Sequence, residues 1–249
     1  IAFQLQTFVT VNCGFTDSQV SSNLTSASGM KRLMIINETG VTSIGALTGM
    51  NPDHADFSGT QVDDVTVVAD WSNLLTFRCS GTILTSLSGF SFSSNPVLEM
   101  LTVNNNSISS LAELSGMTSL MNLDFSNNTV NDISVLQSLT NLGKLHFVNN
   151  AVTDLDPLVL NASICCDDDV DVSGNPLTQT AICDQIPTIV GRFTSGTFTY
   201  DQVCNVNLDI AVSGSGGVIP GTGSFSFPKD SVVQIEAYPL AGQPMAFQG

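Results

Sequence analysis

Apolar and polar positions along this chain recur at a fixed step of 22 residues. The clearest copies begin at Leu98, Leu120 and Leu142 and share the spacing LxxLxVxxNxI, with another apolar residue three positions later. A period in the twenties is typical of a solenoid, because one repeat cannot bury its apolar face alone and must stack on its neighbours.

Each copy predicts a short β-strand followed by a turn. The two apolar side chains of the L-x-V segment point to one side of the strand. Asn106, Asn128 and Asn150 follow the strands, and an amide can pair with backbone groups that would otherwise be buried without partners. The stacked copies therefore predict a ladder of Asn side chains.

Weaker copies extend the pattern to about seven repeats between residues 30 and 180. Their inward-facing strand residues are predicted to be Met34 and Ile36, Ala55 and Phe57, Phe77 and Cys79, and Val170 and Val172. The first three copies carry Thr39, Thr60 and Thr82 at the ladder position. A hydroxyl has fewer hydrogen-bonding sites than an amide, so we expect a weaker ladder there.

Residues 98–155 resemble leucine-rich repeats of the bacterial internalin type, whose units read LxxLxxLxLxxNxIxxIxxLxxLxxL. The resemblance implies an α/β, β-rich solenoid, a leucine-rich-repeat horseshoe. Its concave side would be a parallel sheet that binds partners, and its convex side short helical or irregular turns. Of the proline-containing convex consensus, only Asp156-Pro157-Leu158 is kept.

Three segments are predicted along the chain: an N-terminal cap at 1–29, repeats with a disulfide-bearing C-terminal cap at 30–204, and a small antiparallel β module at 205–249. Period-2 runs separated by Gly and Pro indicate the module. It resembles the divergent B-repeat that follows internalin-like repeats, through Ser213–Gly217, Phe227–Asp230 and Ala237–Gly242. The chain stops at Phe247-Gln248-Gly249 without the Trp of that family, so we expect the module to be incomplete.

Four of the six cysteines come just after the regular repeats: Cys165, Cys166, Cys183 and Cys204. Secreted domains are often stabilised by disulfides. We expect Cys165 and Cys166 to pair with Cys183 and Cys204, in an order that the sequence leaves open. Cys79 should be a small buried hydrophobic residue, and Cys13 free or paired between chains. The sequence has no C-x-x-C motif and no His near these cysteines, so a zinc site is not expected.

The formal net charge is −16, with 6 Lys and Arg against 22 Asp and Glu. This acidity argues against nucleic acid and anionic membranes as partners. Charged residues make up only 11% of the chain, and such a polar, uncharged surface suits an extracellular or cell-surface protein. No apolar run approaches the roughly 20 residues that span a bilayer, so no membrane insertion is expected. The chain lacks an initiator Met, which favours a mature chain whose targeting signal is absent.

Catalytic motifs are missing: there is no HExxH, P-loop, GxSxG or Rossmann pattern. We therefore expect no enzyme, cofactor or resident metal. The acidic run 167–171 does not fit an EF-hand loop, because Val172 stands where Gly is required.

The repeat register nevertheless places a charged group on the exposed concave face. Its members are Asp56, Arg78, Asp124, Lys144, His146, Asp169 and Asp171. His146 is predicted to lie between Asp124 and Asp171 in one column. A solvated ion-pair cluster is the favoured interpretation, a partner-contacting patch the second, and weak binding of a divalent cation the third.

The leading hypothesis is a non-enzymatic secreted or cell-surface protein that mediates adhesion, binding protein or glycan through its concave face. The alternative is a structural subunit of an extracellular filament or surface layer, assembling with copies of itself through terminal β segments.

Overall fold

The computed structural model describes residues 6–24, 29–211, 216–219 and 222–239. The chain divides into two compact units, Ile1–Asp201 and Gln202–Gly249. The first unit is a solenoid built on one nine-stranded parallel sheet in which the strands follow in chain order. The strands are β1 (Thr7–Val11), β2 (Arg32–Ile36), β3 (His54–Asp56), β4 (Thr76–Arg78), β5 (Met100–Thr102), β6 (Asn122–Asp124), β7 (Lys144–His146), β8 (Asp169–Asp171) and β9 (Thr197–Thr199).

Short helical or irregular turns return the chain from one strand to the next, as the resemblance implies, and of the returns that the structure describes only that from β4 to β5 contains no helical turn. Helix α1 (Asp17–Leu24) connects β1 and β2 and buries Val20 and Leu24. Later returns are the 3₁₀ turns Gly45–Leu47, Thr66–Asp70, Ala112–Leu114 and Ser134–Ser138, then α2 (Asp156–Leu160) and a π-helical turn, Ala181–Gln185, that continues into α3 (Ile186–Val190). Pro157 lies in the first turn of α2, where its missing N–H costs no helical hydrogen bond.

The predicted Asn ladder is confirmed. Nδ2 of Asn128 donates to the carbonyl of Phe125 in its own repeat (2.8 Å) and of Val103 in the preceding repeat (3.0 Å), while its Oδ1 accepts from the amide of Ile108 (2.8 Å). Asn150 and Asn175 repeat this arrangement. Thr60 donates only to the carbonyl of Phe57, at 2.7 Å. The amide thus joins neighbouring repeats, whereas the hydroxyl of Thr60 bonds within its own repeat. The hydroxyl of Thr82 reaches the next repeat, where it donates to Oδ1 of Asn106 at 2.6 Å.

Each ladder residue from the second strand onward follows a residue with left-handed backbone. These residues are Asn37, Gly59, Gly81, Asn105, Asn127, Asn149 and Gly174, with φ between +53° and +72°. Asn and Gly tolerate this conformation best. The Asn-Asn, Gly-Thr and Gly-Asn pairs of the sequence therefore form the same turn in different repeats.

The predicted register of the first repeat is wrong by one residue. Leu33 and Ile35 are buried in the core, and Met34 pairs with Asp56 on the opposite face. The run Leu33-Met34-Ile35-Ile36 has no apolar–polar alternation, so nothing in it distinguishes the two faces, and a slip of one residue reverses every side chain. Glu38, not Thr39, therefore occupies the ladder position.

Glu38 is buried and binds the segment that follows β1. Its carboxylate accepts hydrogen bonds from the hydroxyl of Thr10 (2.6 Å) and from the amides of Cys13 and Phe15 (2.8 Å each). Burial alone would raise the pKa of Glu38, but these donors outweigh it and hold the pKa below its ordinary value. A charged side chain thus fastens the first strand to the repeats.

The expected cysteine pairing is also wrong. Cys183 and Cys204 are disulfide-bonded, while Cys165 and Cys166 carry free thiols. The two adjacent sulfurs face each other, 2.8 Å apart, in the turn that precedes β8, and neither bonds to Cys183 or Cys204. Cys79 is buried, as predicted, and burial raises its pKa to about 12. Cys13 is exposed and free.

The described residues of the second unit, up to Pro239, form two small antiparallel sheets, which confirms the predicted β module. Strand β10 (Asn205–Ile210) pairs with β12 (Gly223–Pro228), and β11 (Gly216–Ile219) pairs with β13 (Glu236–Pro239). Much of the B-repeat resemblance falls on residues 212–215 and 240–249, which lie outside the described residues, as does the end at Gly249. That resemblance therefore stays a prediction.

Candidate binding surface on the parallel sheet

The side chains that point away from the core form two columns across the sheet, and we call this surface the concave face. One column is Arg32, His54, Thr76, Met100, Asn122, Lys144, Asp169 and Thr197, and the other is Met34, Asp56, Arg78, Thr102, Asp124, His146, Asp171 and Thr199. All seven charged residues predicted for this face lie in these columns, but Asp56 is buried rather than exposed, with only 9% of its surface accessible. Strands at about 4.8 Å spacing bring neighbours in a column into side-chain contact.

His146 lies between Asp124 and Asp171 in register, but its charged partner is Asp169 in the other column. Its Nε2 is 3.0 Å from Oδ2 of Asp169, and Nζ of Lys144 is 3.2 Å from the same oxygen. The Nε2 atom makes no aligned hydrogen bond, and its contact with Asp169 is an ion pair only when the ring is protonated. Burial works against ionisation of Asp169, but His146 and Lys144 keep its pKa below the ordinary value.

The other three aspartates share a structural task. Oδ1 of Asp56, Asp124 and Asp171 accepts the backbone amide two residues later, from Ser58 (2.9 Å), Ser126 (3.0 Å) and Ser173 (3.0 Å) respectively. Such Asx turns help the chain leave the strand. Asp-x-Ser is therefore a local turn motif, and these carboxylates are partly engaged by backbone rather than free to coordinate a cation. No group of three potential metal ligands occurs in the part of the chain that the structure describes.

The amino-terminal part of the concave face is apolar and cationic, which the sequence did not predict. Val9 and Val11 are 53% and 42% exposed, and Met34 and Ile36 of β2 share their face. Three of the six Lys and Arg residues lie on this face, in a chain of net charge −16. The predicted register placed Met34 and Ile36 in the core, which hid this patch. The sequence does contain a signal for this patch. Counting back one 22-residue step from the core residue Phe57 gives Ile35, rather than Ile36, as the buried position of the first repeat.

Two shallow depressions lie side by side on the face. The first, about 230 Å³, is lined by Arg32, Met34, His54, Ala55, Asp56, Thr76, Arg78 and Met100. The second, about 240 Å³, is lined by Arg78, Met100, Thr102, Asn122, Leu123, Asp124 and Lys144. Arg78 and Met100 line both, with Nη2 of the arginine 3.3 Å from the sulfur. A cation beside a polarizable thioether thus lies between the two depressions, each of which is lined by two Lys or Arg residues and one Asp.

Comparison with known proteins supports the fold alone. No family model matches the chain, and no curated protein matches it in sequence. Among solved structures, internalin C2 of Listeria monocytogenes aligns with a TM-score of 0.62 and 20% identity, over 78% of this chain and 80% of that one. A leucine-rich-repeat protein of Leptospira interrogans aligns with a TM-score of 0.51 and 16% identity, over 71% and 50%. The chain has an internalin-type leucine-rich-repeat fold.

Proposed function

We propose that this protein is a secreted or surface-attached, non-catalytic module that binds a partner protein through its concave face. The observation that carries the proposal is the exposure of Val9 and Val11 next to half-buried Met34 and Ile36, beside Arg32 and Arg78. Exposed apolar groups rimmed by charge are typical of interaction sites. Similar solenoids include the one in the Toll–Spätzle complex of Drosophila, aligned with a TM-score of 0.52 and 16% identity over 71% of this chain and 25% of that one.

The face is preorganised for binding. Every strand from β1 to β9 is paired in the sheet, and the ladder below fixes the turn after each central strand. A rigid surface loses little conformational entropy when a partner docks, so weak individual contacts add up.

Charge indicates the kind of partner. The cations on the concave face are concentrated toward β2–β4, whereas the chain as a whole is strongly acidic. An anionic partner would be repelled by most of the surface and attracted to this part of it. We therefore favour a protein whose contact segment combines acidic and apolar side chains, over a neutral glycan.

One chemical feature, the disulfide, supports an extracellular location. A disulfide persists in oxidising compartments and is rare in the cytosol, and Cys183 and Cys204 form one. Among the residues that the structure describes, no helix is both long and apolar enough to cross a membrane.

The test is a binding screen with the full chain immobilised against a panel of secreted proteins and a glycan array, followed by biolayer interferometry. We expect a protein ligand whose affinity falls at least about tenfold, or 1.4 kcal/mol, with Met34→Ser combined with Arg78→Ala. The matched control is Phe92→Ser, which removes a 52% exposed aromatic outside the sheet. Binding that survives the concave-face changes and is lost with the control would contradict the proposal.

Self-assembly is the second candidate function. In the second unit Val206, Val232 and Ile235 are 45%, 100% and 47% exposed. Two-stranded sheets have unpaired outer edges that can recruit further strands. Sedimentation across a concentration series distinguishes the candidates: a filament subunit elongates, and Val232→Ser slows that growth, whereas a binding module stays monomeric.

A further inference from the structure

Cys165 and Cys166 form a pair of adjacent thiols at the carboxyl-terminal end of the solenoid. Their sulfurs are 2.8 Å apart, with Cys166 exposed and Cys165 half-buried. A disulfide bond measures about 2.05 Å. The two sulfurs are thus within about 0.8 Å of bonding distance.

The backbone around the pair holds it in this arrangement. Cys166 has a φ of +54°. Its amide donates to the carbonyl of Arg192 (3.1 Å), and its own carbonyl accepts from Thr194, Ser195 and Gly196 (3.1, 3.1 and 2.7 Å). On the other side, the amide of Cys165 donates to Oδ2 of Asp168 at 2.8 Å.

Close packing leaves this frame little room to rearrange. A Cβ added at Gly196 would come within 2.2 Å of the carbonyl oxygen of Asp168. The guanidinium of Arg192 also donates to the carbonyls of Leu158 and Asn161, at 3.1 and 3.3 Å. The fold therefore fixes the backbone that carries the two adjacent thiols.

We propose that Cys165 and Cys166 are a reversible redox modification site that closes to a vicinal disulfide by exchange with a low-molecular-weight disulfide. The thiolate of exposed Cys166 attacks one sulfur of the small disulfide, forming a mixed disulfide and expelling one thiolate. The thiol of Cys165 then loses its proton and attacks the Cys166 sulfur, expelling the second thiolate. Two protein thiols become one disulfide, and the small disulfide becomes two thiols.

The vicinal bond should open more easily than the one at Cys183 and Cys204. Consecutive Cα atoms are about 3.8 Å apart, whereas disulfides usually join Cα atoms separated by about 4.4 to 6.8 Å. The resulting strain makes the bond more reducible, as in regulatory disulfides. The site is independent of the proposed binding function, since it involves no residue of the concave face.

The experiment equilibrates the purified full chain in glutathione buffers of graded oxidation, traps free thiols with N-ethylmaleimide, and maps cysteines by peptide mass spectrometry. We expect one peptide that carries both residues, lacks maleimide and is lighter by two hydrogens. It should convert to the doubly alkylated form under milder reduction than opens the bond at Cys183 and Cys204.

Two variants sharpen the result. Cys165→Ser removes the resolving thiol, so glutathione should remain attached to Cys166, whereas Cys13→Ser removes an exposed thiol elsewhere and should change nothing. The proposal is overturned if Cys165 or Cys166 is linked to Cys183 or Cys204. It is equally overturned if both stay alkylated in every buffer that keeps the Cys183 and Cys204 bond closed.

Discussion

The hydroxyl of Thr10 donates a 2.6 Å hydrogen bond to the buried carboxylate of Glu38. This contact joins β1 to the first ladder position, where later repeats use Thr or Asn. A carboxylate can accept from several donors at once, which suits a position where an incoming segment presents two backbone amides and a hydroxyl. The start of the solenoid therefore depends on a charge, unlike its uncharged centre.

Acid should destabilise the amino-terminal end of the solenoid before the rest. The pKa of Glu38 is lower in the folded chain than its ordinary value of 4.5. Its stabilising contribution is therefore complete above about 4.5 and is lost as pH falls through the lower, folded pKa. Glu38→Gln should be less stable at neutral pH and show a weaker loss of stability on acidification.

Denaturant unfolding monitored by circular dichroism at a series of pH values measures this dependence. The exposed residue Glu99 provides the control, since Glu99→Gln should leave the profile unchanged. Identical pH profiles for Glu38→Gln and the parent chain would show that the carboxylate is not held as described.

Removing a ladder amide should lower the free energy of unfolding more than removing a ladder hydroxyl. Asn128→Ala leaves the carbonyls of Val103 and Phe125 and the amide of Ile108 without this partner, so we expect a loss of about 3 kcal/mol in the free energy of unfolding. Thr60→Ala should cost about 1 kcal/mol. Urea unfolding of both variants checks the order, and equal losses would argue against the ladder as the element that joins repeats.

The concave charges should contribute unequally to stability. His146→Gln removes the contact between Nε2 and Asp169, whose side chain is 46% exposed, so we expect a change below about 1 kcal/mol in the free energy of unfolding. Asp124→Ala removes the acceptor for the Ser126 amide and for Nδ2 of Asn104, and we expect about 1 to 2 kcal/mol. Thermal unfolding with and without millimolar calcium measures both, and a large calcium-dependent rise in midpoint would instead indicate a cation site.

Thiol chemistry reports directly on packing in the sheet. Burial raises the pKa of Cys79 to about 12, and only the thiolate reacts, so alkylation of Cys79 in the native chain should be at least about a hundredfold slower than in urea. Exposed Cys13 serves as the internal reference. Pulse alkylation with iodoacetamide and mass spectrometry gives both rates, and similar native rates for the two cysteines would contradict the core assignment.

The central repeats could be predicted from sequence because strict 22-residue spacing and alternating apolar positions agree there. The first repeat could not, because four consecutive apolar residues from Leu33 to Ile36 carry no alternation. Strand β9 was missed because Phe198 pairs with Val170 across a step longer than 22 residues, so the repeat pattern does not reach it.

The seven charged residues of the candidate site were placed on the right face, since periodicity alone decides which side of the sheet a residue occupies. Their partners were not predicted. His146 pairs diagonally with Asp169, and that choice depends on side-chain reach rather than on register. The cysteine pairing likewise depends on local turn geometry around Cys166, which spacing along the chain does not report.

The most direct test of the proposed binding surface is site-specific photo-crosslinking of the full chain, exposed to a mixture of secreted and cell-surface proteins. A photoreactive phenylalanine replaces Met34 or Met100 on the concave face, or Phe92 outside the sheet. We predict a discrete covalent adduct with the same foreign protein from positions 34 and 100 and none from position 92. Adducts from position 92 alone, or only with further copies of this chain, would contradict partner binding through the concave face.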